Sequence, residues 1–209
     1  MPRPNLKVTC LFYVFLVFIC LQTNTLAGET PLQALQKLQE GIDTSNYNLF
    51  SSAMDIDATV ANAMPKILEE IKNLHSSGQL ALPSALAITL SVLNTADATQ
   101  LKIAEQLFAS ELKTLLASGV NNGYFAGQPK ANTQIPYNDI LEKMTPGRKA
   151  IIGKSFTLNG NKALVKATLA DQGNGEYPLV LNLEKQGNLW RIVGIDNAKE
   201  LMLSAFSSQ

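Results

Sequence analysis

Apolar and polar residues follow two different periods along this chain, and the change falls near residue 150. From Thr30 to Gly119 the apolar positions recur every three or four residues, the spacing that gathers them on one face of a helix. In "TPLQALQKLQEGI" that face is Leu32, Leu35, Leu38 and Ile42. Thr30 suits the cap, and Pro31 suits the first helical position, where no N–H is needed. "DTSNYNLFSSAM" offers Asp43, Thr44 or Ser45 as the next cap, with Tyr47, Phe50 and Met54 on one side. A third helix is expected to start at Asp55 or Asp57 and to carry Val60, Met64, Ile67, Leu68, Ile71 and Leu74, with Pro65 kinking or restarting it. "LPSALAITLSVLN" is apolar nearly all round, as in a buried helix. "DATQLKIAEQLFASELKTLLASG" predicts a helix capped by Asp97 and ended by Gly119, striped by Leu101, Ala104, Leu107, Phe108, Leu112 and Leu115.

After a loop rich in Gly, Asn and Pro and a short helix "NDILEKM", the period drops to two. "IIGKSFTL", "KALVKATLA", "EYPLVLNLEK" and "NLWRIVGI" alternate like strands. "NGN", "DQGNG" and "QGN" between them are too short for anything but antiparallel hairpins. Ala163, Val165, Ala167 and Leu169 share a face, as do Tyr177, Leu179, Leu181 and Leu183. Trp190 and Ile192 face one way, and Leu189, Arg191 and Val193 the other. Helices followed by an antiparallel meander make an α+β domain. Its expected parts are a helical stretch over 30–119, a loop and short helix over 120–145, a curved four-stranded sheet over 150–196 and a tail or helix over 197–209. A sheet bent around helices would enclose a cone-shaped cavity.

The first twenty-seven residues read differently. Arg3 and Lys7 precede an apolar run from Val8 to Leu21, and a polar exit ends in "TLA". That is the layout of a secretory signal peptide cleaved after Ala27, and the run is shorter than a spanning helix needs. The expected location is therefore secreted or periplasmic, with no stable membrane insertion after cleavage. Cys10 and Cys20 both lie in the leader, so residues 28–209, read as a single domain, hold no cysteine for disulfides, thiol chemistry or metal ligation. Without the leader, fifteen basic residues stand against seventeen acidic ones, which is no footprint for nucleic acid.

The Gly/Asn turn, "LWRIVGID" and a short polar end resemble the last strand of nuclear transport factor 2-like (cystatin-like, ketosteroid-isomerase-like) domains. "NYNLFSSAMDID" resembles their opening helices. The resemblance covers Pro31 to Asp196, with a longer helical insertion, and exported bacterial proteins of unknown function share the shape. It implies a pocket between sheet and helices, and it implies no single activity, since the fold hosts isomerases, dehydratases, adaptors and binding modules. Members of the superfamily often pair through the sheet face, so a homodimer is an option here.

Candidate chemistry is sparse. His75, the lone histidine, sits in a last helical turn, where it complements the helix dipole. With no H-x-x-H and no cysteine, no metal and no cofactor are expected. Asp55 and Asp57 could act as acid and base if they entered the pocket with Tyr47 or Tyr177 as oxyanion donor, but a helix start explains them more simply. No G-x-S-x-G, G-x-G-x-x-G or P-loop occurs, and "GNGEYP" lacks the lysine and the following helix. Trp190 is read as core, with a pocket wall as the alternative. Arg191 is read as solvated or paired with Glu184 or Glu176, and Met54, Met64 and Met144 as core fillers. Tyr47, Phe50, Asp57, Tyr177 and Trp190 are the candidate pocket residues. The leading expectation is a non-enzymatic exported domain that binds a small apolar ligand or an envelope protein. An envelope carrier of lipid and a small isomerase- or hydratase-like enzyme are the alternatives.

Overall fold

The computed structural model describes residues 28–77, 98–130, 147–172 and 175–207. Helices α1 (Pro31–Asp43), α2 (Tyr47–Ala53), α3 (Ile56–Ser76) and α4 (Ala98–Asn121) come first. Strands β1 (Lys149–Asn159), β2 (Lys162–Asp171), β3 (Gly175–Gln186) and β4 (Leu189–Ile195) follow, and helix α5 (Ala198–Ser207) closes the chain. The strands form one antiparallel meander in the order β1-β2-β3-β4. The fold is α+β, as the change of period predicts. "LPSALAITLSVLN", Asp97, "NDILEKM" and Met144 lie outside the described residues, as does the leader.

Local chemistry starts each helix. Thr30 and Gln33 exchange bonds in a capping box, the Gln33 side chain accepting from the Thr30 N–H at 2.7 Å. The next cap is Asn46, whose Oδ1 accepts from Leu49 N at 3.1 Å, and not Asp43, Thr44 or Ser45. The reversal passes through Ser45 in the left-handed region, φ 52°, which moves the cap one residue on. Gly41 permits this hairpin, because a Cβ there would lie 2.8 Å from Phe50 Cα. Asp55 caps α3 by accepting from Ala58 N at 3.0 Å. The helix runs unbroken through Pro65, with no restart. The proline ring is exposed, while Val60, Met64 and Leu68 bury the opposite face, so packing holds the turn that lacks one hydrogen bond.

Two details of α4 differ from the expectation. Gly119 does not end the helix, which continues to Asn121. Its role is close approach, since a Cβ there would run into the edge of the Phe125 ring. Among the described side chains, Ala109, Leu112 and Leu116 pack on the core, while Leu107 is 58% exposed; those of Leu101, Ala104 and Phe108 lie outside the description.

The register aligns apolar rows across the sheet. Phe156, Val165 and Leu181 are successive partners, and Leu158, Ala163, Leu183 and Ile192 form the next row. Helices α1, α2 and α3 cover these rows with Leu35, Leu38, Ile42, Phe50, Val60 and Met64. Leu35, Val165, Leu181, Leu183 and Ile192 are fully buried, each burial being worth about 1.5–3 kcal/mol. Bulges interrupt the register of β1 between Ile152 and Ser155 and of β4 at Val193. Gly153, φ 60°, supplies the first kink.

Candidate functional site

The five residues singled out from sequence do not meet in one cavity. Phe50 and Trp190 are 4% and 5% exposed and belong to the packed core. Tyr47 rests on that core, its ring stacked 6.2 Å from Phe50. Asp57 stands in solvent at the start of α3, ion-paired with Lys113 of α4. Tyr177 is half-buried on the inner face of β3, opposite Leu169 and far along the sheet from Trp190. Trp190 therefore follows the core reading, and its backbone is anchored too: Trp190 N donates to Glu29 Oε2 at 3.0 Å.

Arg191 is neither simply solvated nor paired with Glu184 or Glu176, contrary to the expectation. Its guanidinium donates to the carbonyls of Ser51 at 2.9 Å and Met54 at 3.0 Å and to Gln186 Oε1 at 3.3 Å. It closes the C-terminal end of α2, where helical carbonyls lack intrahelical partners. Glu184 pairs instead with Lys162 at 3.1 Å. Asp55 shares this neighbourhood. The Ala58 N–H holds its carboxyl below the ordinary value, helped by Gln186 and the Arg191 charge, so it is a capping anion. His75 lies in the last turn of α3, and its side chain is outside the description.

A depression lies on the face of the sheet turned away from the helical core. It is an open groove of about 690 Å³. Alternation builds its floor. Thr157 and Asn159 of β1, Lys162, Leu164 and Lys166 of β2, and Asn182 and Glu184 of β3 point outward because their neighbours Val165, Leu181 and Leu183 point in. Helix α3 runs beside β4 and adds a wall of Asn62 and Lys66. That wall is fixed by Asn62 Nδ2 donating to Val193 O at 2.7 Å and by Lys66 Nζ donating to Asp196 O at 3.0 Å. Gly194 keeps the floor low between Asn62 and Asn182. A smaller hollow of about 250 Å³ is lined by Ser45, Asn46, Tyr47, Asn48 and Asn121.

Three lysines thus meet two acids in the groove. Lys162 is held by Glu184, and Lys66 approaches Asp196 at 3.6 Å. Lys166 has no ion-pair partner among the described residues. The arrangement offers hydrogen-bond donors and an excess positive charge to a ligand. It offers no nucleophile beside a base. Among the described residues no group of three His, Cys, Asp or Glu is placed to hold a metal. Sequence reading passed over the groove because its residues are the polar half of an alternating pattern, which looks the same as a merely solvated face. Comparison of the chain with protein-family models, curated proteins and solved structures returns no match.

Proposed function

We propose that this chain is an exported, non-enzymatic binding domain that holds a small anionic ligand in the outer groove. The observation that carries the reading is Lys166, an unspent cation in a groove whose other two lysines are already oriented by acids and whose volume suits a small molecule. Amides at Asn62, Asn159 and Asn182 add neutral polar contacts. An apolar ligand has less support, because the space between sheet and helices is occupied by Leu35, Phe50, Val165, Leu183 and Trp190. The same filled core weakens the lipid-carrier reading. An acid/base enzyme lacks a gathered pair, with Asp55 spent as a cap and Asp57 in solvent.

Export rests on the basic start, the Val8–Leu21 run and the exit at Ala27. N-terminal sequencing of protein recovered from a secreting host should begin at Gly28. Kinship with nuclear transport factor 2-like domains is proposed on the order of elements alone. The binding test is a titration of isotope-labelled residues 28–209 with citrate and with inorganic phosphate, followed by NMR. Shifts should centre on Lys66, Lys166 and Asn182, and Lys166→Ala should weaken them about tenfold, the loss of one charge-assisted hydrogen bond. Shifts elsewhere, or none, would overturn the reading.

A further inference from the structure

We infer that the second half of β1 is a pairing edge for another copy of this chain, joining two sheets about a two-fold axis through Thr157. β1 is the outer strand of the meander, and among the described residues no strand lies beyond it. Its first half is sealed: the Gln39 side chain donates to Lys149 O at 3.0 Å and accepts from Ile151 N at 2.8 Å, occupying the groups a neighbouring strand would use. The bulge at Gly153 then separates this half from the rest, and no described side chain performs the same service for Ser155 to Asn159. An exposed run of unpaired strand edge is a template for another strand.

The side chains there are apolar where a sealed or solvated edge would carry charge. Phe156 is 40% and Leu158 54% exposed, and both lie at the ends of rows that continue inward as Val165–Leu181 and Ala163–Leu183. The sequence Ser155-Phe156-Thr157-Leu158-Asn159 is matched to its own reverse. In an antiparallel pair centred on Thr157, Phe156 faces Leu158 of the other copy, and Ser155 faces Asn159. Apolar thus meets apolar on one face and polar meets polar on the other. Lys154 falls opposite Gly160, so no like charges confront each other. A two-fold contact needs this self-complementarity, and an arbitrary partner does not. The Ile103 and Leu107 pair on α4 is also exposed but has no free backbone edge beside it.

The absence of cysteine from residues 28–209 makes the axis directly testable. Directly opposed residues of an antiparallel pair lie about 4.5–5.5 Å apart at Cα, within disulfide range. Thr157→Cys in residues 28–209 should therefore form a covalent dimer under mild oxidation, and Ser155→Cys, whose copies would sit about 13 Å apart, should lag at least tenfold. Sedimentation of the unsubstituted protein should show a concentration-dependent dimer that the Phe156→Lys/Leu158→Lys pair shifts at least tenfold toward monomer, while Ile103→Lys/Leu107→Lys leaves it in place. A monomer at every concentration, a dimer indifferent to Phe156→Lys/Leu158→Lys, or equal cross-linking at 155 and 157 overturns the inference. Circular dichroism of each variant separates loss of pairing from loss of fold.

Discussion

One row of the sheet ends in two opposite environments. Leu158, Ala163, Leu183 and Ile192 are successive cross-strand partners, yet Leu158 on β1 is half in water and Ile192 on β4 is fully buried. The difference lies in what closes each edge. Along β4, Glu29 N donates to Asn188 O at 3.2 Å, and the Glu29 carboxylate takes the Trp190 N–H. Asp55 N and Thr59 Oγ1 donate to Ile192 O at 2.8 and 3.1 Å, and Asn62 takes Val193 O. Past the end of β4, the Asn197 amide continues the ladder, accepting from Val180 N and donating to Pro178 O, both at 2.8 Å. Along β1, among the described residues, only the start of the edge is finished this way: the Gln39 side chain takes Lys149 O and Ile151 N, and Lys149 N donates to Phe125 O at 2.9 Å. A sheet edge here is finished by side-chain amides, hydroxyls and a linker, residue by residue, and apolar side chains are buried only where that finish also brings a helix.

The contrast can be broken at its closed end first. Trp190→Ala and Ile192→Ala should each cost about 3–5 and 2–5 kcal/mol, read from denaturant midpoints at unchanged slope, because each empties space that α2 and α3 cannot refill. A loss below about 1 kcal/mol at either position would mean that the core does not depend on β4. Arg191→Met should cost about 1–3 kcal/mol by stranding the carbonyls of Ser51 and Met54, with faster hydrogen exchange over residues 47–59 as its local signature. Gln39→Leu should cost a similar or smaller amount, about 1–2 kcal/mol, because the groups it frees at Lys149 and Ile151 are only partly buried. At the open end, Leu158→Ala should change stability by less than about 0.5 kcal/mol in dilute protein, where nothing covers it.

Acid sharpens the comparison at smaller amplitude. The Ala58 N–H and, at a distance, Arg191 hold Asp55 below its ordinary 3.8, and the Arg148 fork holds Asp43 below the same value. The unfolded chain takes up these protons first as pH falls, so the stability each carboxylate contributes is full above about pH 5 and is lost on descending through 3.8 and below. Asp55→Asn and Asp43→Asn should each flatten that part of the stability-against-pH curve. Neither group is deeply buried, so solvent screens both and the change is small. An unchanged acid limb in both variants would show that neither partner acts on its carboxylate.

Much of this architecture can be read without coordinates. Strands within one or two residues of those observed follow from strict alternation. The hairpins follow from Gly160 and Gly187, both at positive φ in the turns where a Cβ-bearing residue would strain. Thr30-Pro31 and Asp55 announce helix starts by chemistry that acts within three residues. The errors are equally specific. The α2 cap moved to Asn46 because packing against Gly41 sets where the chain turns. Gly119 reads as a terminator, although its missing side chain makes room for Phe125. Arg191 reads as solvated or paired with an acid, but its partners are Gln186 and two backbone carbonyls, and carbonyls are carried by every residue and marked by no letter. The groove combines positions 62 and 66 with 157–166 and 182–196, and nothing along the chain says that α3 will lie beside β4.

The order and kind of the described elements, the inward-facing half of each strand and the cysteine-free composition of residues 28–209 were determined by sequence alone. These properties depend on period, turn chemistry and contacts between near neighbours. Which apolar residue is sealed and which is left in water, which amide finishes an edge, and which lysine stays without a partner were decided only by the tertiary structure. These depend on groups of different elements arriving within hydrogen-bond reach, some more than a hundred residues apart, as Gln39 is from β1 and Thr59 from β4.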